Sequence, residues 1–205
     1  MVHEVEYIGK LTAAQFEDLK KFLTTHGTFK KEKKRLSLLY FRNAIPADLN
    51  DIADEQVDLR LRITNKKPEL ILKYGTFTAT HARKEITIPI QDMEPYAELL
   101  SCLGWHHVVL HVTHTLAYMY KDIELSLVDV KDFGHTFEAE ILSDESGIDD
   151  AKKKIDTLLR ELHLVPYDQK GIFDQCNLLN NKKELQFDTL KQPFSEIKKR
   201  YSDFF

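Results

Sequence analysis

Residues 57–64 read Val-Asp-Leu-Arg-Leu-Arg-Ile-Thr, and every second side chain in this stretch is apolar. Successive side chains of an extended strand point to opposite faces, so a period of two separates the residues into two sets. The apolar set is Val57, Leu59, Leu61 and Ile63, and the polar set is Asp58, Arg60, Arg62 and Thr64. The stretch therefore predicts a strand with one apolar and one charged face.

The same alternation recurs along the chain and predicts an α+β protein. Strands are expected at about 2–10, 34–42, 57–64, 69–75, 83–90, 107–119, 122–130 and 135–143. Helices are expected at 12–26, 92–103 and 148–164. Thr12 and Gln15 form a capping box that starts the first helix, and Asp92 is the expected N-cap of the second. Residues 43–55 read as a long loop, and everything after residue 148 reads as helical.

Length and composition limit the classes of protein. The chain has 205 residues, 42% of them hydrophobic, and a formal net charge of −4. This predicts a single domain, 1–205, with a barrel over 1–143 and C-terminal helices over 148–205. We expect no nucleic-acid partner, because such binding normally requires a basic surface. With no long apolar run and no visible signal peptide, we expect no membrane partner, a cytoplasmic location, and a monomer or a homodimer.

The charged faces of so many strands need a common explanation. A wet outer face is the simpler one for any single strand. If helices pack on the apolar faces, the charged faces point either to open solvent or into a closed barrel. Eight antiparallel strands suffice to close such a barrel. The sequence therefore predicts a closed eight-stranded antiparallel β-barrel with flanking α-helices. Its lumen would hold the acidic residues Glu4, Glu6, Glu85, Glu124, Glu138 and Glu140 and the basic residues Arg60, Arg62, Lys73 and Arg83.

Such a set of charges has a specific chemistry. Two Glu-x-Glu pairs place carboxylates about 7 Å apart on one strand face, which suits hard cations such as Mg²⁺ or Mn²⁺. An Arg-x-Arg pair presents two planar guanidinium groups to one region, and these bind phosphate oxygens in pairs. A metal held by carboxylates together with guanidinium groups is typical of a polyphosphate site.

In this order along the chain, the motifs resemble the CYTH proteins, or triphosphate tunnel metalloenzymes. Glu4-Val5-Glu6 is similar to the acids of the family's Glu-x-Glu-x-Lys motif, and Leu59-Arg60-Leu61-Arg62 to its Leu-Arg-x-Arg strand. Further similar segments are Leu70-Ile71-Leu72-Lys73, Arg83-Lys84-Glu85 and Phe133-Gly134-His135-Thr136-Phe137-Glu138-Ala139-Glu140. The resemblance covers residues 4 to about 140 and implies an eight-stranded antiparallel tunnel.

The resemblance also implies residue roles. Metal ligands would be Glu4, Glu6, Glu138 and Glu140, and phosphate would be bound by Arg60, Arg62, Lys73, Arg83 and Lys10. Glu4, Glu6 and Lys73 would be the catalytic residues, with Mg²⁺ or Mn²⁺ as cofactor. The partner would be a triphosphate-bearing small molecule, and the activity a triphosphatase acting on inorganic, nucleoside or thiamine triphosphate.

Two alternatives stay open. Where the family's first motif has a lysine, this chain has Ile8. Where a later strand of the family has two basic residues, it has Thr113 and Thr115. Where the family has the aspartate of a Leu-Asp pair, it has Val128. Asp129 comes one residue late and is expected on the opposite strand face. These departures favour a tunnel protein that binds a phosphorylated ligand without turnover. A class IV-type adenylyl cyclase is the third possibility.

Two further features allow two readings each. Among the histidines between His106 and His135, His107 and His111 share a strand face with Thr113. They could replace missing cations when protonated or bind a transition metal, or they could be polar residues on a wet strand. The basic run at 30–35 could guide an anionic substrate or be a solvated surface. Cys102, on an apolar helix face, is expected in the core.

Overall fold

The computed structural model describes residues 3–48, 57–75 and 84–205 of the chain. The strands are β1 His3–Leu11, β2 Thr28–Phe41, β3 Asp58–Thr64, β4 Lys67–Tyr74, β5 Lys84–Pro89, β6 His107–Tyr120, β7 Ile123–Val130, β8 Gly134–Ser143 and β9 Gln186–Asp188. The helices are α1 Ala13–His26, α2 Glu94–Cys102, α3 Ile148–Glu161, α4 Gln169–Asn180 and α5 Phe194–Arg200. No helix in the described ranges is long and apolar enough to cross a membrane.

The strands form one sheet in the order β1-β8-β7-β6-β2-β3-β4-β5, and β9 pairs with β6. The pairs β1–β8, β7–β8, β2–β3, β3–β4 and β6–β9 are antiparallel. The predicted eight-stranded antiparallel sheet with flanking helices is confirmed. Within the described ranges this order ends at β1 and at β5, and closure into a barrel stays a prediction.

The chain divides into two compact units. The first contains β1, α1, β7, β8 and α3 with the adjoining ends of β2 and β6. The second contains the rest of β2 and β6 with β3, β4, nearly all of β5, α2, β9 and α5. The organisation of residues 1–205 as a single domain stays a prediction.

In the first unit, the odd-numbered residues of β1, β7 and β8 form the core. Val5, Leu125, Leu127 and Phe137 are almost completely buried, and they belong to one apolar cluster with residues of α1 and α3. The helix residues in that cluster are Phe16, Leu19, Leu23, Ala151, Ile155, Leu158 and Leu159. The even-numbered residues therefore lie on the opposite face of these strands, as the alternation predicts.

The edge of β1 is covered by the chain that follows α3. The backbone N–H of Tyr167 donates a hydrogen bond of 2.7 Å to the carbonyl oxygen of Ile8. A Cβ atom at Gly9 would lie 2.4 Å from the carbonyl oxygen of Val165, closer than the two atoms can approach. A glycine at position 9 thus allows this segment to pair with an otherwise open strand edge.

The second unit has its own core. Leu36, Leu38, Leu61 and Leu110 are fully buried or nearly so, and they cluster with apolar residues of α2, α5 and β9. In β2 and β6 the core residues of this unit have even numbers, whereas in β3 they have odd numbers. This leaves the charged residues Arg60 and Arg62 on the opposite face of β3.

Several expected boundaries are wrong. β2 begins at Thr28 rather than near 34, because its first residues are charged on both faces and do not show the alternation that marks a strand. The chain after residue 148 is not all helical, since β9 adds a short strand to β6. Residues 49–55 of the predicted loop lie outside the described ranges.

Two side-chain expectations are also wrong. The N-cap residue of α2 is Met93, and Asp92 instead accepts a hydrogen bond of 3.2 Å from the backbone N–H of Glu94. Cys102 is exposed, because α2 buries the face that carries Ala97 and Leu100, and Cys102 does not share it. The capping box of Thr12 and Gln15 at the start of α1 is confirmed.

Candidate functional site

Three glutamates meet on the even-numbered face of the first unit. In the antiparallel register, Glu6 of β1 lies opposite Glu140 of β8, which lies opposite Glu124 of β7. Carboxylate oxygens of Glu4, Glu6 and Glu140 all lie within 4.8 Å of one another. The structure therefore brings Glu4, Glu6 and Glu140 together, and their role as metal ligands stays a prediction.

The carboxylates affect one another electrostatically. Burial and the neighbouring carboxylates of Glu4 and Glu124 raise the pKa of Glu140 to about 7, although Lys33 acts in the opposite direction. The side chain of Glu4 is also hydrogen-bonded to that of Glu140. A half-buried group of acids this close together is stable when a proton or a cation neutralises part of its charge.

Glu138 occupies the next position along β8. It lies opposite Ile8 of β1 and Ser126 of β7, one pleat away from the row that contains Glu140. The three residues whose oxygens converge do not include Glu138, and its role as a metal ligand stays a prediction. Lys10, opposite Thr136, is exposed, and its role in phosphate binding stays a prediction as well.

Two lysines of β2 lie next to the carboxylates, a feature that the sequence did not reveal. The Nζ atoms of Lys31 and Lys33 lie 3.4 and 3.8 Å from Oε1 of Glu124. Both belong to the basic run 30–35, for which the sequence allows a substrate-guiding surface and favours a solvated one. Lys31 and Lys33 are two residues apart, so they lie on one face of the strand. Their shared face would have been predictable from the sequence if the start of β2 at Thr28 had been recognised.

Asp129 lies on the other face of β7, as expected from its position one residue late. Its Oδ1 is 3.2 Å from Nδ1 of His135, and the His135 ring is 4.4 Å from the ring of Phe16 in α1. Asp129 is therefore on the face that α1 covers, and it does not join the glutamates.

In the second unit, every described cation of the predicted phosphate site is paired with a carboxylate. Arg60 donates from Nε and Nη2 to Asp58, at 2.6 and 2.5 Å. Arg62 donates from Nε and Nη2 to Oε2 of Glu69, at 3.1 and 3.0 Å. These bonds use two of the five N–H donors of each guanidinium group, so the others are available for an anion.

Lys73 forms the third pair, with its Nζ 2.9 Å from Oε2 of Glu85. Burial alone would raise the pKa of Glu85, but Lys73, Thr87 and Arg62 together hold it below its usual value. The Glu85 carboxylate is therefore charged at neutral pH. Arg83, the remaining predicted phosphate ligand, lies outside the described ranges.

His111 of β6 is half-buried near Arg60 and Arg35, and its Nε2 atom is not accessible to solvent. Its Nε2 atom has no hydrogen-bond partner among the described residues. Burial and the positive charges of Arg60 and Arg35 lower the pKa of His111 to about 4. The expectation that such a histidine replaces a missing cation is wrong for His111, because its imidazole is neutral at neutral pH. It can still donate or accept one hydrogen bond.

No family model matches the sequence, and no curated protein matches it. Solved structures do match the fold. The PH1012 protein from Pyrococcus horikoshii is 18% identical, with a TM-score of 0.64 over 79% of this chain and 91% of that chain. A putative adenylate cyclase from Vibrio parahaemolyticus is 15% identical, with a TM-score of 0.57 over 82% and 91% of the two chains.

A third similar structure is the putative adenylyl cyclase HpAC1 from Hippeastrum, described as having a dominant triphosphatase activity. It is 16% identical, with a TM-score of 0.57 over 85% of this chain and 95% of that chain. At these identities the similarities show that the fold is shared.

The raised pKa of Glu140 predicts a specific dependence of stability on pH. Above pH 4.5 the unfolded chain releases this proton while the folded chain retains it, so stability decreases as the pH rises from about 4.5 to about 7. The substitution Glu140→Gln removes this effect. In chelator-free buffer without divalent ions, we expect it to stabilise the protein by roughly 1–2 kcal/mol at pH 8 and little at pH 4.5.

Urea unfolding at both pH values measures this difference. The matched control is Glu17→Gln, at an exposed position of α1. Equal effects of Glu140→Gln at the two pH values would contradict the described electrostatics.

The lowered pKa of His111 has the opposite consequence. Between pH 6.5 and about 4 the unfolded chain binds a proton that the folded chain rejects, so stability decreases as the pH falls through this range. The substitution His111→Gln should remove about 2–3 kcal/mol of this acid-induced loss. The control is His114→Gln, because His114 of the same strand pairs with Glu32 at a more exposed position. An unchanged acid slope in His111→Gln would show that His111 is not buried in its neutral form.

Proposed function

We propose that this chain, which has the CYTH-like fold of the similar structures, is a metal-dependent phosphohydrolase acting on a triphosphate-containing substrate. The substrate class is inorganic triphosphate or a nucleoside or thiamine triphosphate. The observation that carries the proposal is the convergence of Glu4, Glu6 and Glu140, with Lys31 and Lys33 beside the same face.

The carboxylate cluster is suited to the metal that the proposal requires. All of its ligand atoms are carboxylate oxygens, which Mg²⁺ and Mn²⁺ prefer over the nitrogen and sulfur ligands of softer ions. Burial and the neighbouring carboxylates of Glu4 and Glu124 raise the pKa of Glu140, so a bound cation would favour its charged form. When bound there, the ion would neutralise phosphate charge and activate a water molecule or a phosphoryl oxygen.

The chain's own cations would bind the phosphates. Lys31 and Lys33 stand next to the acidic cluster and can contact a phosphate group whose oxygens also reach the metal. Within the second unit, we propose Arg60, Arg62 and Lys73 as phosphate ligands in their own right. Since carboxylates already hold these three side chains, their geometry is preorganised, and an anion would use the N–H donors that the carboxylates leave.

One alternative is a protein that binds a phosphorylated ligand without turnover. Ile8 favours this alternative, because it replaces the lysine of the family's first motif with an uncharged side chain. In the sheet, Ile8 lies opposite Glu138. An adenylyl cyclase is the other alternative, favoured by the description of two similar structures as putative cyclases.

One assay separates the three possibilities. Release of phosphate from tripolyphosphate, ATP and thiamine triphosphate is measured with Mg²⁺, with Mn²⁺ and with chelator, and cyclic AMP is measured with ATP. We expect metal-dependent phosphate release that Glu6→Gln reduces by about a hundredfold or more and that Glu17→Gln leaves unchanged. Metal-dependent binding without release would support the non-catalytic alternative, and cyclic AMP formation would support the cyclase.

The substitution Lys33→Met tests the role of the β2 lysines. Removing a positive charge beside the carboxylates should strengthen the binding of Mn²⁺ alone by about twofold to fivefold. The same substitution should weaken the binding of tripolyphosphate in the presence of Mn²⁺ by about tenfold, because a phosphate contact is lost. Titration calorimetry measures both.

Lys30→Met is the matched control, since Lys30 is exposed and points away from Lys31 and Lys33 along the strand alternation. If Lys33→Met shifts both affinities in the same direction, the side chain only supports Glu124 and does not contact phosphate.

A further inference from the structure

A second cluster of possible metal ligands lies where β9 joins β6. His107 of β6 is directly opposite Asp188 of β9, and His106 precedes it. The rings of His106 and His107 have their centroids 4.0 Å apart, and Nδ1 of His106 is 3.0 Å from Oδ1 of Asp188. One ligand atom from each of the three residues lies within 4.8 Å of the others.

The surrounding hydrogen bonds hold this arrangement in place. The backbone N–H of Leu190 donates to Oδ1 of Asp188 at 3.0 Å, and Nζ of Lys191 lies 3.0 Å from Oδ2. The carbonyl oxygen of His106 accepts from the backbone N–H and from the hydroxyl of Thr189, at 3.0 and 3.2 Å. Outer contacts of this kind orient the ligands of metal sites before the ion arrives.

The donor set indicates which ion would bind. Two imidazole nitrogens and one carboxylate oxygen suit borderline divalent ions, above all Zn²⁺, and are a poor match for Mg²⁺. Three protein ligands leave one position of a tetrahedral ion for water. We propose that His106, His107 and Asp188 form a Zn²⁺-binding site on the β6–β9 ladder.

The site would act on the folding of the C-terminal segment. Residues 107 and 188 are far apart along the chain, so an ion that ties them together offsets the entropy lost in closing a long loop. Because the unfolded chain does not present these ligands together, bound Zn²⁺ stabilises the folded state. The β9 strand also carries Phe187, which belongs to the apolar cluster of the second unit.

Calorimetric titration with Zn²⁺ in a large excess of Mg²⁺ tests the proposal, because the excess Mg²⁺ competes with Zn²⁺ for all-oxygen sites such as Glu4, Glu6 and Glu140. We expect one Zn²⁺ per chain and a raised melting temperature. His107→Gln and Asp188→Asn should each weaken the binding by about tenfold or more. His114→Gln and Glu140→Gln should leave it unchanged. Undiminished affinity in His107→Gln, or loss of affinity in Glu140→Gln, would overturn the assignment.

A measurement on the unmodified chain does not depend on how the variants fold. In ¹⁵N spectra of the imidazole rings, Zn²⁺ should shift the ring nitrogens of His106 and His107 and leave those of His114 unchanged. Unshifted resonances of His106 and His107 at saturating Zn²⁺ would overturn the proposal, as would the absence of any Zn²⁺ binding in the presence of Mg²⁺.

Discussion

The mutual repulsion of neighbouring carboxylates is the interaction on which the account of the first unit depends. Glu6, Glu140 and Glu124 lie in one row across β1, β8 and β7, and Glu4 is hydrogen-bonded to Glu140. Burial of these groups and their mutual repulsion cost stability, and Lys33 offsets only part of that cost, because the pKa of Glu140 is still raised to about 7. Such an arrangement is unfavourable for the bare protein and favourable for a protein that binds a cation.

In the second unit, the charged side chains are neutralised by one another. Its cations Arg60, Arg62 and Lys73 have one carboxylate each, so the charges are balanced without a ligand. Burial tends to lower the pKa of Arg60, but Asp58 outweighs it and keeps the guanidinium charged. An anion that binds here would use the N–H donors that the carboxylates leave. The first unit has an excess of negative charge, whereas the second has preorganised ion pairs.

Much of this could be predicted from the sequence, because a strand's alternation determines which side chains share a face. For that reason Val5, Leu127 and Phe137 are buried, and Glu6 and Glu140 lie on the opposite face of their strands. The register that brings Glu140 opposite both Glu6 and Glu124 could not be derived, since pairing depends on contacts between segments distant in the sequence.

Other features had no local signal. The lysine-rich start of β2 has no apolar face, so its strand character depends on pairing rather than on periodicity. The three residues of β9 are too few to show a period. The neutral state of His111 follows from burial beside two arginines that lie elsewhere in the sequence. Sequence patterns identify which side chains share a strand face. The charge state of each group depends on its neighbours from other parts of the sequence.

The most direct measurement of the central claim is the position of Mn²⁺ in crystals soaked with this ion, located by its anomalous scattering. We expect a manganese ion bound by carboxylate oxygens of Glu4, Glu6 and Glu140. A map that shows fully occupied Mn²⁺ sites at other residues, and no ion bound to these three side chains, would contradict the assignment of a metal site to this cluster.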